Sequence, residues 1–407
     1  MFHRYSTRKF LLLAAFAFVV GFPLITRGQD SPFPQATDLQ HGPPLTNQEY
    51  VSMLYQLPRH PEDRDRIVDE IRKRGIAFTV TPGLLSLTAT KSGNDPVLRR
   101  TLEEANRRRE NPVGSTLPPS AESATLLEQT RRATLGAAGT MPDYLVKELI
   151  VRYVALGTTK NWQTTDHLSV AVSYRQTAGE DYKLLSINGM PAAADEDYGI
   201  SLGGTVSAGE YVTVLSDLFK PETQAEFQAV DTDMVNKRAT IVYEYVVKRE
   251  FSRQGLGWGR KGRIERETVV GSRGRIWVDR QNYRVLRFES IATEIEPGFP
   301  ITAESKVIDY DWVTINDKEH LLPSRAVVEL TAREGVQTEQ TRNDILFRGY
   351  RKFGTEVKIT DINEKDFPPD KPEESDSTKQ PAPPLDSKTP IDPNKPPPVP
   401  ILKPKKP

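Results

Sequence analysis

Between Arg263 and Leu330 the chain alternates apolar and polar residues through five runs: IERETVV, RIWVD, RVLRFES, KVIDYDWVTI and HLLPSRAVVEL. Short clusters rich in turn-forming residues, such as RQNY and NDKE, separate most of them. Successive side chains of a strand point to opposite faces, so alternation at this spacing predicts an antiparallel meander. Ile276 and Val278 share one face, and Leu286 and Phe288 join them from the returning strand. Arg275, Arg287 and Glu289 take the other face, where Trp277 is the large apolar exception. The next hairpin repeats the division, with Ile308, Tyr310 and Trp312 opposite Asp309 and Asp311. One apolar and one polar face is the pattern of a sheet covered on a single side.

The apolar face needs a cover. Gly209–Phe219 places Tyr211, Val214, Leu215 and Leu218 at helical spacing, and Pro221 ends the run. One short helix hides only part of a broad sheet, so the remainder is either filled by side chains or left as a cleft.

Taken in order, the chain divides into unlike segments. Residues 1–28 read as a signal peptide: Arg4, Arg8 and Lys9 precede an apolar stretch from Phe10 to Leu24, with Thr26 and Gly28 placed for cleavage. The alternative is an uncleaved anchor. After a lead-in at 29–45, Thr46 is placed to cap QEYVSMLYQL, Pro61 opens a second helix ended by Gly75, and Asp95 or Pro96 starts a last one. Residues 46–110 thus form a small helical module, whose closing run Arg107–Arg109 reads as a solvated helix end. A Pro- and Ser-rich linker, 111–123, leads to a β domain at 124–362 of about eight to ten strands. Asn188-Gly189 and Asn236-Lys237 mark hairpin turns in it. From Asn363 to Pro407 a Pro- and Lys-rich composition predicts a disordered tail. The fold class expected is α+β: a helical module, then a curved antiparallel sheet, an incomplete barrel with a helical plug.

The order of helix, paired strands, RIWVD…YRVLRFES and YDWVTIND…HLLPSRAVVEL resembles the lipoprotein-carrier (LolA-like) fold of envelope proteins, over roughly Pro142 to Thr360. The segments RGIAF and PDYLVKELIVRY…DYKLLSINGMP are also similar to those of a family of exported bacterial proteins. The resemblance implies an incomplete β-barrel wrapped around a helix and a hydrophobic cavity.

Chemical equipment is sparse. The chain contains no cysteine, which removes disulfides, thiolate metal sites and a lipid-bearing Cys. Lys and Arg balance Asp and Glu at 55 each, which gives no basis for nucleic-acid binding. The five histidines show no metal-ligand spacing, and neither a G-x-S-x-G elbow nor a Walker string occurs. GWGRKG at 257–262 matches a dinucleotide string, but IERETVV after it reads as strand where that fingerprint needs a helix. A hairpin tip bearing Arg253, Arg260, Lys261 and Trp258 is the better reading. Asp309 with Asp311, and Asp195–Asp197, are acidic groups expected to face solvent.

The expectation is therefore a non-enzymatic protein of the cell envelope, without cofactor or metal. It would be periplasmic, or held at the inner membrane if the leader stays. Its partner would be a lipid, an acylated protein or an envelope protein, with membrane contact at most peripheral. The expected cavity lining is Ile276, Val278, Leu286, Phe288, Ile308, Tyr310, Trp312, Tyr211 and Leu215. The competing expectation is an interaction scaffold that uses the helical module and the tail.

Overall fold

The structure is a computed structural model that describes residues 42–113, 115–193, 198–199, 202, 212–260, 263–354 and 358–368. The expected leader, the acidic group at 195–197, Tyr211, Lys261 and the tail beyond Pro368 lie outside the described residues. Local signals account for the first helices. Thr46 caps α1 (Asn47–Gln56) in a reciprocal capping box with Glu49. Gly75 ends α2 (Arg64–Arg74) at φ 69°, and Thr81 with Pro82 opens α3 (Pro82–Ser92). Asp95 accepts from the amides of Val97 and Leu98 at the start of α4 (Pro96–Glu110). Tyr50, Leu54, Ile67, Ile71, Leu98 and Leu102 form the core of this module.

The β domain is one antiparallel sheet of eleven strands among the described residues, open rather than closed into a barrel. Strands β1 (Tyr144–Leu156), β2 (Gln163–Arg175), β3 (Gly179–Ile187) and β4 (Met190–Pro191) run outward to one edge. The other edge is β5 (Glu226–Val235), paired with β6 (Arg238–Val247). A separate hairpin follows, β7 (Gly255–Arg260) with β8 (Arg263–Val269), where the dinucleotide fingerprint would have required a helix. Then β9 (Gly271–Asp279), β10 (Val285–Thr293), β11 (Ile301–Ile315), β12 (Lys318–Glu334) and β13 (Gln337–Lys352) return as a meander, and β13 pairs with β1. Turn chemistry sets these registers. Asn188-Gly189, Asn236-Lys237 and Asn316-Asp317 all take the left-handed backbone of tight hairpins.

The chain from β4 to β5 must pass from one edge of the sheet to the other. Helix α6 (Val212–Phe219) lies on that path, and Leu215, Leu218 and Phe219 bury against the apolar face. A second helix shares this face. α5 (Ser120–Gly139) brings Leu126 into the same core, with Leu127 and Leu135 packed around it, and the Tyr243 hydroxyl donates to Ser123 O at 2.7 Å.

The polar face is covered too, contrary to the one-sided sheet read from alternation. Arg275, Arg287 and Glu289 are 8%, 6% and 7% exposed. The helical module lies over this region, and its charges meet those of the sheet. Arg107, expected at a solvated helix end, pairs with Asp233, and Arg108 pairs with Asp231. Farther along, residues 353–354 and 358–367 lie over β1–β3, where Phe353, Ile359, Ile362 and Phe367 pack on Leu145, Ala171 and Leu185. Glu364, inside the stretch expected to be tail, reaches Lys147 at 3.1 Å. Period-two alternation reports side-chain polarity, and a polar face can be buried when a partner of complementary charge lies over it.

Candidate functional site

Two regions are built around the sheet, one on each face. On the apolar side an aromatic ladder runs beneath α6. Phe219 stacks on Phe227 with ring centroids 5.5 Å apart, and Tyr245 stacks on Phe288 at 5.7 Å. Burial raises the Tyr245 hydroxyl well above the usual phenol range, so it stays protonated and donates to Glu289 O at 3.2 Å.

Beside this ladder a cleft of about 220 Å³ opens between α6 and strands β6, β9 and β10. Val214, Leu218, Tyr245, Val247 and Phe288 give it apolar walls. Ser272, Ser290, Arg253 and Lys306 add polar and cationic groups. Among the residues expected to line a cavity, Phe288 borders this cleft. Ile276, Val278, Leu286, Ile308 and Tyr310 are at most 2% exposed and Leu215 is 8% exposed, all in the packed core. Trp312 is half-buried at its margin, with the Arg284 guanidinium 5.8 Å from its ring centroid. Tyr245 and Val247 share one face of the RATIVYEYVV run at 238–247 by strand alternation. Ser272, Ser290 and Lys306 gave no signal, because nothing local distinguishes a serine beside a cleft from one beside solvent.

On the polar side the module is held by an ionic layer. The Trp277 indole N–H donates to Asp233 Oδ2 at 2.8 Å and to Glu104 Oε1 at 3.2 Å. Arg100 and Arg107 both pair with that Asp233. Arg72 faces Glu289 at 3.6 Å; burial, with Arg275 nearby, pulls its guanidinium down to about 10. Asp309, expected to face solvent, is bound by Arg287 at 2.7 Å, and Asp311 stays exposed. The two carboxylates therefore share no pocket on the apolar side.

Asp95 ties the module to the β1–β2 loop. Besides capping α4 it lies 3.1 Å from Arg64 and 3.4 Å from Lys160. Burial alone would raise its carboxyl, but Arg64 and Lys160 outweigh that and hold it well below the usual carboxylate range. A depressed folded-state value contributes stability that is complete above the unfolded value of about 3.9 and is lost as pH falls through the folded one. Denaturation midpoints measured between about pH 5 and pH 2 should fall steeply for the parent protein and less steeply for Asp95→Asn. Parallel curves for the two proteins would remove Asp95 from the account.

Among the described residues no group of three His, Asp or Glu side chains gathers as a metal site, and no helix is long and apolar enough to cross a membrane. The geometry is that of an open antiparallel sheet that holds helices against its apolar face.

No protein-family model matches the sequence, and no curated protein does. Solved structures do match. A DUF1329 family protein from Desulfovibrio piger is 10% identical with a TM-score of 0.27, the match covering 60% of this chain and 98% of that one. A LolA superfamily protein from Nitrosomonas europaea is 11% identical with a TM-score of 0.25, covering 60% and 96%. The Pseudomonas aeruginosa MucA/MucB complex gives 9% identity and a TM-score of 0.17, covering 56% and 94%. Likenesses this low say nothing of what the chain binds.

Proposed function

We propose that the protein is a non-enzymatic envelope protein that takes the apolar chain of a lipid or acylated partner between α6 and the sheet. The cleft under α6 carries this reading: Val214, Leu218, Tyr245, Val247 and Phe288 offer apolar walls, while Arg253 and Lys306 stand where an anionic head group would lie. At about 220 Å³ it is smaller than the range of roughly 300–1,000 Å³ usual for small-molecule sites. A slim acyl chain suits such a space, and a longer one would enter by displacing α6, an eight-residue helix. The scaffold reading has less support, because the module that would dock a partner spends Arg100, Arg107 and Arg108 on the sheet.

The test is titration with a dansyl-labelled undecanoic acid. Val214→Trp, which fills the cleft from the helix side, should weaken binding by about tenfold or more. An unchanged affinity would remove the cleft as the site. A companion measurement separates cleft from core. Leu218→Ala borders space that is already open, so it should cost about 2 kcal/mol, the low end for such truncations, and should sharply reduce stabilisation by added fatty acid. Leu215→Ala, in the packed core, should cost about 3 kcal/mol and leave that stabilisation intact. Denaturant melts with and without the fatty acid distinguish the two outcomes.

A further inference from the structure

A second and larger space lies on the opposite side of the sheet, where the helical module meets the loop between β1 and β2. It measures about 650 Å³, within the range of small-molecule sites, and is bordered by the end of α3, the loop at 159–162 and strand β13. The apolar ligand proposed for the α6 cleft does not suit it. Its walls carry Arg64, Lys91, Lys160 and Arg342 beside the rings of Tyr153 and Trp162.

A wall with four cations suggests an anion at first sight, yet each cation already has a partner. Arg64 meets Asp65 at 2.5 Å and Asp95 at 3.1 Å. Lys160 meets Glu329 at 2.8 Å, and Lys91 sits 4.4 Å from the centroid of the Tyr55 ring. Arg342 holds Asp344 through two bonds, Nε to Oδ1 at 2.6 Å and Nη2 to Oδ2 at 3.1 Å. An anionic ligand would have to compete with these carboxylates for the same donors. A neutral ligand rich in hydroxyl groups would not, because each hydroxyl both donates and accepts and can bond the edge of an ion pair without breaking it.

The aromatic side of the groove fits the same class. The indole N–H of Trp162 is buried without a hydrogen-bond partner among the described residues, and a Cβ built on Gly93 would fall 3.2 Å from that nitrogen. The pyrrole edge of the ring is thus turned to the backbone, and the half-buried ring offers the groove apolar surface, suited to the C–H face of a sugar. The backbone around it is held in uncommon conformations. Asn94 and Lys160 take φ of 59° and 49°, and both border the groove. Gly93 allows the close approach, since its Cβ would lie 2.8 Å from Lys160 O. Such positions persist only where surrounding structure over-determines them, and they gather at binding sites.

We infer that this groove is a binding site for a neutral oligosaccharide, with Trp162 as its stacking platform and the Arg342–Asp344 pair as its polar clamp. The test uses the full chain and calorimetric titration with chitotriose, cellotriose and maltotriose, and with inorganic phosphate and a sulfated disaccharide as anionic probes. At least one neutral trisaccharide should bind, with an affinity that does not change when salt screens exposed charges to a Debye length of about 3 Å. Trp162→Ala should weaken that binding about tenfold or more. Thr90→Trp, at an exposed groove residue outside the core, should do the same by occlusion and serves if the first variant fails to fold. Binding confined to the anionic probes and suppressed by salt would overturn the inference. So would no binding of any neutral trisaccharide, or neutral-sugar binding that survives both substitutions.

Discussion

Asp233→Ala is expected to lower the stability of the protein by about 3 kcal/mol and to loosen the helical module from the sheet. Asp233 is buried, pairs with Arg100 and Arg107, and accepts the Trp277 indole N–H at 2.8 Å. Removing it takes the shared carboxylate from both guanidinium groups and leaves Arg100 the longer contact to Glu104 at 3.5 Å. Breaking a buried pair from one side costs about 3–5 kcal/mol, because the remaining charge is left uncompensated. The lower end applies here, since the Arg100 and Arg107 side chains are 19% and 30% exposed and can turn partly to water. Trp277 also keeps its bond to Glu104 at 3.2 Å. Asp233→Asn keeps an acceptor for the indole and should lose less. Urea melts give the energy, and limited proteolysis between α4 and α5 reports the loosening. A loss below about 1 kcal/mol with no new cleavage would mean that the ionic layer is incidental to docking.

Gly274→Ala is expected to destabilise by about 3 kcal/mol or more, although it adds a single methyl group. Gly274 lies in β9 opposite Ser290 of β10 and Tyr245 of β6. A Cβ there would fall 1.9 Å from Glu289 O and 2.8 Å from its carbonyl carbon. Both are backbone atoms of a paired strand, so no side chain can swing aside; β9 and β10 would have to part. That carbonyl also accepts the Tyr245 hydroxyl, so the cost extends to the ladder beneath α6. Gly257→Ala in β7 is the control. Its Cβ would meet nothing nearer than the Ile264 side chain at 3.8 Å, so its melt should stay within about 0.5 kcal/mol of the parent. Equal melts for the two variants would show that β9 tolerates a side chain at 274.

The apolar face was the most legible part of the chain. Ile276, Val278, Leu286, Phe288, Ile308 and Tyr310 alternate with polar residues, and alternation is the direct consequence of strand geometry. Helix α6 was legible because its buried apolar residues are large: Leu215, Leu218 and Phe219. Helix α5 was legible as a helix over Ala124–Leu135, but not as a second cover of the apolar face. The residues it buries are Ser123, Leu126, Thr130 and Thr134, correctly spaced for a helix face but three of them small and polar. Small side chains let a helix lie close to a sheet, and for the same reason they leave no apolar stripe to read.

The buried polar face was illegible for a different reason. Arg107 and Arg108 look like any charged helix end, and Asp231 and Asp233 like any polar edge of a strand. Their burial depends on each other across more than a hundred residues of chain, and no local pattern carries that information. Trp277 was the local clue, a large ring among charged neighbours on a face that otherwise read as solvated. The cleft was half legible. Alternation identified the face that Phe288 belongs to, but not which part of that face α6 leaves open.

The central claim is that an acyl chain enters beneath α6. Photo-crosslinking with a fatty acid that carries a diazirine at its terminal carbon, followed by peptide mapping, tests it most directly. Adducts are expected on α6 and on the facing strands β6 and β10, around Leu218, Val247 and Phe288, competed away by unlabelled fatty acid. Adducts confined to the helical module, or scattered labelling that the competitor does not reduce, would contradict it.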